Sequence, residues 1–136
     1  PLLALTLICY EVIFPSAVRE ALVTEEADII IAVTNDAWFG NTIGPRQHLA
    51  MAQMRSAELG VPMIRSANTG ISAMIDRKGH VVSMIDYDQS GTLDAIIGPS
   101  HLTIYRQYGD AIYFIMLVIF GGVIFALRLT KISPSE

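Results

Sequence analysis

The one cysteine of this sequence, Cys9, is the side chain best suited to nucleophilic chemistry, and Tyr10 and Glu11 follow it. A cysteine attacks a carbonyl as the thiolate, so it needs a base or a positive charge nearby and donors for the oxyanion that forms. The backbone N–H of Tyr10 is available as one donor, and Glu11 fits a supporting role better than that of the base. On composition alone, a lone cysteine at a strand end is more often an inert core residue.

The segments around Cys9 predict a strand–helix–strand unit. The apolar run from Pro1 to Cys9 suits a buried strand, Ala17 to Glu26 a helix, and Asp28 to Thr34 a second strand. Strands joined in this way run parallel, with a right-handed crossover. Because ligands collect beyond the carboxyl ends of parallel strands, we expect Cys9 and the segment from Asn35 to Gly40 at one edge of the sheet.

That edge would also place two aromatic residues, Trp38 and Phe39, beside the cysteine. The histidines offer a Cys–His dyad in principle, but each lies in a different predicted segment, and surface or helix-face histidines are the ordinary case. Their spacing does not suit a metal, and the sequence predicts neither a metal nor a cofactor. The three histidines are His48, His80 and His101.

The rest of the first hundred residues predicts one helix and four short strands. The helix begins at Gly44-Pro45 and stops at Gly60, with Ala50, Met54 and Ala57 on one apolar face. Turn residues Asn68-Thr69-Gly70 and Arg77-Lys78-Gly79 separate the first three strands. The predicted strands are Val61 to Ser66, Ile71 to Asp76, His80 to Ile85 and Thr92 to Ile97.

Composition favours membrane contact and argues against nucleic acid. Hydrophobic residues make up 52% of the chain, the mean hydropathy is +0.48 and the formal net charge is −4. A nucleic-acid partner requires a Lys/Arg surface that neutralises phosphates, and this chain has none in its sequence pattern.

A charge-free segment from Ala111 to Leu127 predicts a membrane-spanning helix. As a helix it would be about 26 Å long, near the roughly 30 Å hydrocarbon core. Arg128 and Lys131 follow it, which weakly favours a cytoplasmic C-terminus. The alternative is a buried core helix. Three tyrosines lie where an aromatic belt would sit, at Tyr105, Tyr108 and Tyr113.

Six short motifs occur in order along the chain: Ile8-Cys9-Tyr10-Glu11, Phe14-Pro15, Asn35-Asp36-Ala37-Trp38-Phe39, Arg55-Ser56-Ala57-Glu58, Asn68-Thr69-Gly70-Ile71-Ser72 and Ile75-Asp76-Arg77-Lys78-Gly79. Taken in this order, they resemble the carbon–nitrogen hydrolase (nitrilase) superfamily over about residues 5 to 97. Two further features, the segment from Asn35 to Gly40 with Gln47-His48 downstream and the terminal membrane span, resemble the membrane-bound N-acyltransferases of this superfamily, which modify apolipoproteins, rather than its soluble amidases.

This resemblance implies an α/β fold: the C-terminal part of a nitrilase-like α-β-β-α sandwich, followed by one transmembrane helix. Residues 1–104 would belong to the catalytic domain, 105–129 to the span with its aromatic belt, and 130–136 to a short cytoplasmic tail. The complete protein would cross a bacterial inner membrane several times, with its catalytic domain in the periplasm.

The resemblance also implies a Glu–Lys–Cys triad and transfer of an acyl chain. Cys9 would take the chain from a phospholipid as a thioester and pass it to the diacylglyceryl-cysteine at the N-terminus of an apolipoprotein. By position, Glu11 would be a second essential carboxylate and Tyr10 a backbone donor to the oxyanion. Substrate contacts would involve Trp38, Phe39 and Asn35, while Arg55 and Glu58 would form a structural ion pair.

In this family the base Glu and the Lys precede the cysteine, and here only eight residues do. We therefore expect the chain to be a piece of a longer protein and to be inactive alone. Two alternatives remain open. One is a membrane-anchored amidase that uses the same Cys9 with water as the acceptor; the other is a non-catalytic membrane scaffold.

Overall fold

A five-stranded mixed sheet forms the centre of the fold. The computed structural model describes residues 2–96 and 98–132, of which 129–132 are described by their backbone alone. Neighbouring strands pair in chain order. The first three strands are parallel, the fourth is antiparallel to the third, and the fifth is antiparallel to the fourth. The strands are β1 (Ala4–Ile8), β2 (Ile29–Asn35), β3 (Met63–Asn68), β4 (Ser72–Ile75) and β5 (Val81–Ile85).

The described residues also form four helices, numbered here in chain order. They are α1 (Pro15–Thr24), α2 (Gly44–Leu59), α3 (Ile104–Tyr108) and α4 (Ala111–Ile132). Two short 3-10 helices follow β1 and β2, at Cys9–Ile13 and Asp36–Phe39. The predicted parallel strand–helix–strand unit is therefore confirmed, with Leu5 beside Ile30 and Leu7 beside Ala32 in the register.

The core lies between one face of the sheet and the helices α1 and α2. Burial of these apolar side chains is the main stabilising term for such a layer. Alternate strand residues point to the opposite face, where Ile8 is 65% and Val33 48% exposed. The core includes Leu5, Leu7, Ile30, Ala32 and Met63 from the sheet and Val18, Leu22, Leu49, Ala52 and Leu59 from the helices.

Helix α2 has the predicted bounds, but its predicted buried face is wrong. Gly60 ends the helix with a left-handed φ of 67°, as expected for a glycine stop. Ala50, Met54 and Ala57 are exposed. The buried face carries polar side chains whose partners lie inside the fold, and a pattern based on apolarity alone misses such a face. It consists of Pro45, His48, Leu49, Ala52, Arg55, Ser56 and Leu59.

The predicted strand from Thr92 to Ile97 is also wrong over its described part. Residues 92–96 are irregular, and Ile97 lies outside the described residues. Ile96 is 98% exposed. Within the described chain β5 pairs with β4 alone, so residues 92–96 do not add to its open edge. An extended run that pairs with no strand gains no ladder hydrogen bonds to offset its entropy loss.

Helix α4 is apolar and exposed all round. Its segment Ala111–Arg128 has a mean hydropathy of 2.3 and no buried residue, and it is long and apolar enough to cross a membrane. Within the described chain, α4 is therefore not a buried core helix. A break at Gly109 separates α4 from α3, so Tyr105 and Tyr108 lie on α3 and Tyr113 on α4.

An arginine side chain helps to attach α3 to the globular part of the chain. Arg19, on α1, donates hydrogen bonds to three successive carbonyls, those of Tyr105 (2.9 Å), Arg106 (3.0 Å) and Gln107 (2.8 Å). A side chain at Gly109 would lie 3.2 Å from the Arg19 guanidinium. The N-terminal end of α4 is thus connected, through α3 and Arg19, to α1, the helix that follows the Cys9 turn.

Candidate functional site

Cys9 sits at the carboxyl end of β1, in a strained backbone conformation. Its φ is 53°, in the left-handed region that non-glycine residues rarely adopt. It begins the first 3-10 helix, and its side chain is half-buried. Glu11 holds this turn, because its Oε2 accepts the backbone N–H of Ile8 at 2.7 Å. The carboxylate nearest in sequence to the cysteine therefore braces the turn.

Two rings, those of His48 and Phe39, pack against Tyr10, the residue after the cysteine. The Tyr10 ring is stacked on the His48 ring, with centroids 5.4 Å apart and planes 22° apart. Phe39 completes the group, 6.0 Å from Tyr10 and 5.9 Å from His48. Phe39 comes from the second 3-10 helix, so the two strand ends meet at one edge, as predicted. Together with Gly44, Gln47 and Met51, these rings line a cavity of about 100 Å³.

Behind the rings lies a buried charged cluster of Asp36, His48 and Arg65. Asp36 Oδ2 accepts Arg65 Nη2 at 2.6 Å, and Asp36 Oδ1 contacts His48 Nδ1 at 2.9 Å. Thr34 Oγ1 also donates to Asp36 Oδ1, at 3.1 Å. All three charged or titratable side chains are at most 2% exposed. A charge buried to this degree is tolerated when it is paired and hydrogen-bonded, as these are.

The partners of Asp36 keep it ionised. Burial acts to raise its pKa, but the hydrogen bond from His48 and the charges of Arg65 and His48 outweigh that effect, so the pKa lies below its ordinary value. A carboxylate only accepts, so His48 Nδ1 carries a proton toward Asp36. His48 Nε2 and Arg65 Nη1 are then buried atoms without a partner in the described part of the chain.

Arg65 is also held by a backbone carbonyl of the β3–β4 turn. Its Nε donates to the carbonyl of Ile71 at 3.2 Å. Burial lowers its pKa, while the charge of Asp36 and the hydrogen bond to it, and then the charge of Cys9, act in the opposite direction. Gly70 lies against the Asp36 carboxyl group, where a Cβ would collide with it. The β3–β4 turn therefore needs a glycine at this position.

The other predicted contact residues lie at the rim of this edge. Asn35 Oδ1 accepts the N–H of Ala37 and an amide hydrogen of Asn68, each at 3.2 Å, which ties the ends of β2 and β3 together. Trp38 is 88% exposed. Within residues 2–96 and 98–132, no group of three or more His, Cys, Asp or Glu side chains comes together in a way that could hold a metal ion.

A family model described as carbon-nitrogen hydrolase matches residues 4–107 of the chain. This range contains the Cys9 turn, the aromatic group and the buried cluster. The chain belongs to the carbon–nitrogen hydrolase family. Cys9, the aromatic group and the turn at Gly70 thus all lie within the one matched domain of this chain.

Curated relatives narrow the similarity within the carbon–nitrogen hydrolases. The chain is 42% identical over 118 residues to an apolipoprotein N-acyltransferase of Rhizobium rhizogenes, covering 87% of this chain and 22% of that protein. It is 44% identical over 129 residues to one of Agrobacterium fabrum, covering 90% and 24%. It is 52% identical over 91 residues to one of Sinorhizobium medicae, covering 67% and 17%. The chain thus spans about a fifth of the length of these relatives.

A solved structure supports the carbon–nitrogen hydrolase fold independently. A carbon-nitrogen hydrolase from Helicobacter pylori G27 superposes with a TM-score of 0.53 at 14% identity, covering 64% of this chain and 37% of the other. At that identity the likeness concerns the fold alone. The predicted α/β class is confirmed.

The structure brings some of the predicted residues together and adds others. The Tyr10 and Phe39 rings meet beside the turn that Cys9 begins, and Arg55 forms the expected ion pair with Glu58, at 3.0 Å. Burial raises the pKa of Glu58, and the charge of Arg55 opposes that rise.

Sequence reasoning missed the buried cluster of Asp36, His48 and Arg65. The sequence pattern predicts His48 on a helix face without a role, and it gives no separate role to Asp36 or Arg65. One signal in the sequence is the arginine inside β3, which directly follows the apolar Met63 and Ile64. A charge at such a position requires a buried partner.

Proposed function

We propose that this chain is the C-terminal part of an apolipoprotein N-acyltransferase and that Cys9 is its nucleophile. The observation that carries the proposal is 44% identity over 129 residues, 90% of the chain, to a protein of that name. The strained cysteine at the carboxyl end of a parallel strand supports it, since enzymes concentrate such strain at their working residues.

In the first step the Cys9 thiolate attacks the ester carbonyl of a phospholipid. The carbon–oxygen bond breaks, a thioester forms at the sulfur, and the thiol proton ends on the hydroxyl of the departing lysophospholipid. The backbone N–H of Tyr10 serves as one donor to the tetrahedral oxyanion, where a single aimed donor contributes about 10²-fold or more to the rate.

In the second step the α-amino group of a diacylglyceryl-cysteine attacks the thioester. The carbon–sulfur bond breaks, an amide forms, and the sulfur leaves as the thiolate that began the cycle. An amine must lose a proton to react, so this step needs a general base. We assign that role to a glutamate outside this chain and keep Glu11 as the carboxylate that braces the nucleophile turn.

A membrane setting suits this chemistry. A lipid-facing cleft with little water favours transfer to an amine over hydrolysis. Exposed Trp38 and the Phe39 ring would border the acyl chain, with Asn35 holding their loop. Helix α4 would span a bacterial inner membrane, with residues 130–136 in the cytoplasm and the sheet in the periplasm.

The direct test uses the complete protein, including the segment that precedes this chain, and a phospholipid with a radiolabelled acyl group. We expect a labelled protein adduct that hydroxylamine releases, because hydroxylamine cleaves thioesters. Cys9→Ser should form no hydroxylamine-sensitive adduct. His80→Asn, a change of an exposed histidine on a turn, provides the matched control.

The main competing function is hydrolysis of small amides with water as the acceptor. It would appear as release of ammonia from such amides without any labelled lipid adduct. That result, in a protein that is folded and carries Cys9, would exclude the acyltransferase.

A further inference from the structure

The side chains that surround the Cys9 turn connect in one line to the interior of the fold. Arg65 is anchored on the Ile71 carbonyl, Asp36 on Arg65, and His48 on Asp36. The His48 ring carries the Tyr10 ring, and Tyr10 is bonded directly to Cys9. A chain of short contacts therefore runs from the β3–β4 turn to the nucleophile.

We propose that the Asp36–His48–Arg65 cluster is a positioning device for the nucleophile, which acts through the stacked Tyr10 ring to hold Cys9 in its left-handed conformation. This inference rests on the proposed function, because it concerns the same cysteine. It gives Asp36, His48 and Arg65 a part in the reaction without contact with the substrate.

Burying the ionisable side chains of this cluster costs free energy, which argues against packing as its only role. Three ionisable side chains are almost fully buried, and two of their nitrogens have no partner among the described residues. Well-packed apolar residues of similar volume often stabilise a fold as much as or more than a buried ion pair. Ions add directional contacts: the Asp36 carboxylate is held by Arg65 through Oδ2 and accepts His48 Nδ1 through Oδ1, which orients the imidazole ring.

The strained turn needs such a fixed support. A left-handed non-glycine residue persists only where its surroundings determine it. Within the turn, the Glu11 carboxylate holds the Ile8 N–H on one side of Cys9. On the other side, the flat contact between Tyr10 and His48 limits how the chain can rotate after Cys9. A sulfur displaced by about 1 Å from its productive position loses roughly 10²-fold in rate.

The test measures the reactivity of Cys9 toward iodoacetamide in the complete protein, by mass spectrometry of the Cys9 peptide. The variants are His48→Asn, which keeps an amide donor near Asp36 but removes the ring, Tyr10→Ala, and the double variant. We expect each single change to slow alkylation about 10-fold or more. The double variant should be no slower than the slower single one, because both changes remove one contact.

Controls separate positioning from loss of the fold and from failure of the proposed function. His80→Asn removes an exposed histidine that also pairs with an aspartate, and it should react like the wild type. If His48→Asn does not fold, the half-exposed Tyr10 carries the test alone: Tyr10→Ala should slow the reaction, and Tyr10→Phe, which keeps the ring, should restore most of the rate.

Alkylation needs no phospholipid, so it reports on positioning even if no lipid adduct forms. Equal alkylation rates for wild type and a folded His48→Asn, or effects of the two single changes that multiply in the double variant, would overturn the positioning role. Equal rates for Tyr10→Ala and Tyr10→Phe would do the same.

Discussion

At the scale of single residues, the conformation of Cys9, the proposed nucleophile, depends on atoms far from it in sequence. Cys9 owes its conformation to a turn that Glu11 braces, and the residue after it rests on an imidazole held by Asp36. Asp36 in turn is ionised because its partners outweigh its burial. The charge state of one buried carboxylate therefore supports both the fold and the site.

Asp36→Asn should reduce the free energy of unfolding at pH 7 by about 3–5 kcal/mol, because it leaves the Arg65 charge buried without its counter-ion. The pKa of Asp36 is lower in the folded protein than in the unfolded chain, so its stabilising contribution is present above about pH 4 and is lost as the pH falls through the folded-state value. The difference from wild type should therefore shrink at low pH. Thermal melting of the complete protein in detergent between pH 7 and pH 3 measures it.

The matched control for this prediction is Asp94→Asn, at an exposed position in the irregular segment after β5. It should leave the melting temperature almost unchanged at both pH values. A difference between Asp36→Asn and wild type that stays constant down to pH 3 would show that folding does not lower the pKa of Asp36.

At the scale of elements, α1 connects the Cys9 turn to the apolar helix α4. It begins just after the first 3-10 helix and carries Arg19, whose guanidinium holds the carbonyls at the end of α3. Tyr105 also packs against the core from α3. The five-residue α3 is too short to be stable by itself, so these contacts set where α4 begins.

Arg19→Gln should loosen α3 while the sheet stays intact. An amide side chain cannot reach three carbonyls, and the loss of hydrogen bonds from a charged donor costs about 1.5–3 kcal/mol. Hydrogen exchange of the amides of residues 104–109 should become faster in the complete protein. Arg46→Gln, at an exposed position of α2, is the control; equal exchange in both variants would exclude the clamp.

The sequence predicts the secondary-structure elements better than it predicts which side chains contact one another. The parallel strand–helix–strand unit and the end of α2 at Gly60 follow from local patterns and turn chemistry, and the structure confirms them. The cluster of Asp36, His48 and Arg65 joins three separate elements, so no local window contains it. The sequence prediction of the buried face of α2 is wrong for the same reason: polar residues of that face, such as His48, contact side chains distant in sequence.

At the scale of the whole chain, two unlike parts are joined at Gly109. The part before it is a sheet covered by helices on one face, and the part after it is an exposed apolar helix. Water disfavours an exposed apolar surface of this kind, whereas a bilayer accommodates it. The proposed membrane location therefore rests on α4 and can be tested with this helix by itself.

Residues 105–136, fused to a soluble carrier protein, should remain in the membrane fraction after alkaline carbonate extraction. Ile119→Arg places a charge near the middle of α4 and should cost about 2.5–3.5 kcal/mol of insertion free energy. Ile112→Arg, near the end of the helix, is the control, since its side chain can extend to the interface. Full extraction of the unmodified fusion would contradict a spanning helix.

The measurement that bears most directly on the proposed reaction is a chase of the labelled Cys9 adduct. The complete protein is loaded with labelled phospholipid, freed of excess lipid and mixed with a peptide that carries an N-terminal diacylglyceryl-cysteine. We expect the label to leave the protein and appear in an amide at the peptide's α-amino group, with no such transfer to a peptide whose amine is acetylated. Release of the label as free fatty acid at the same rate with or without the peptide would contradict acyl transfer from Cys9.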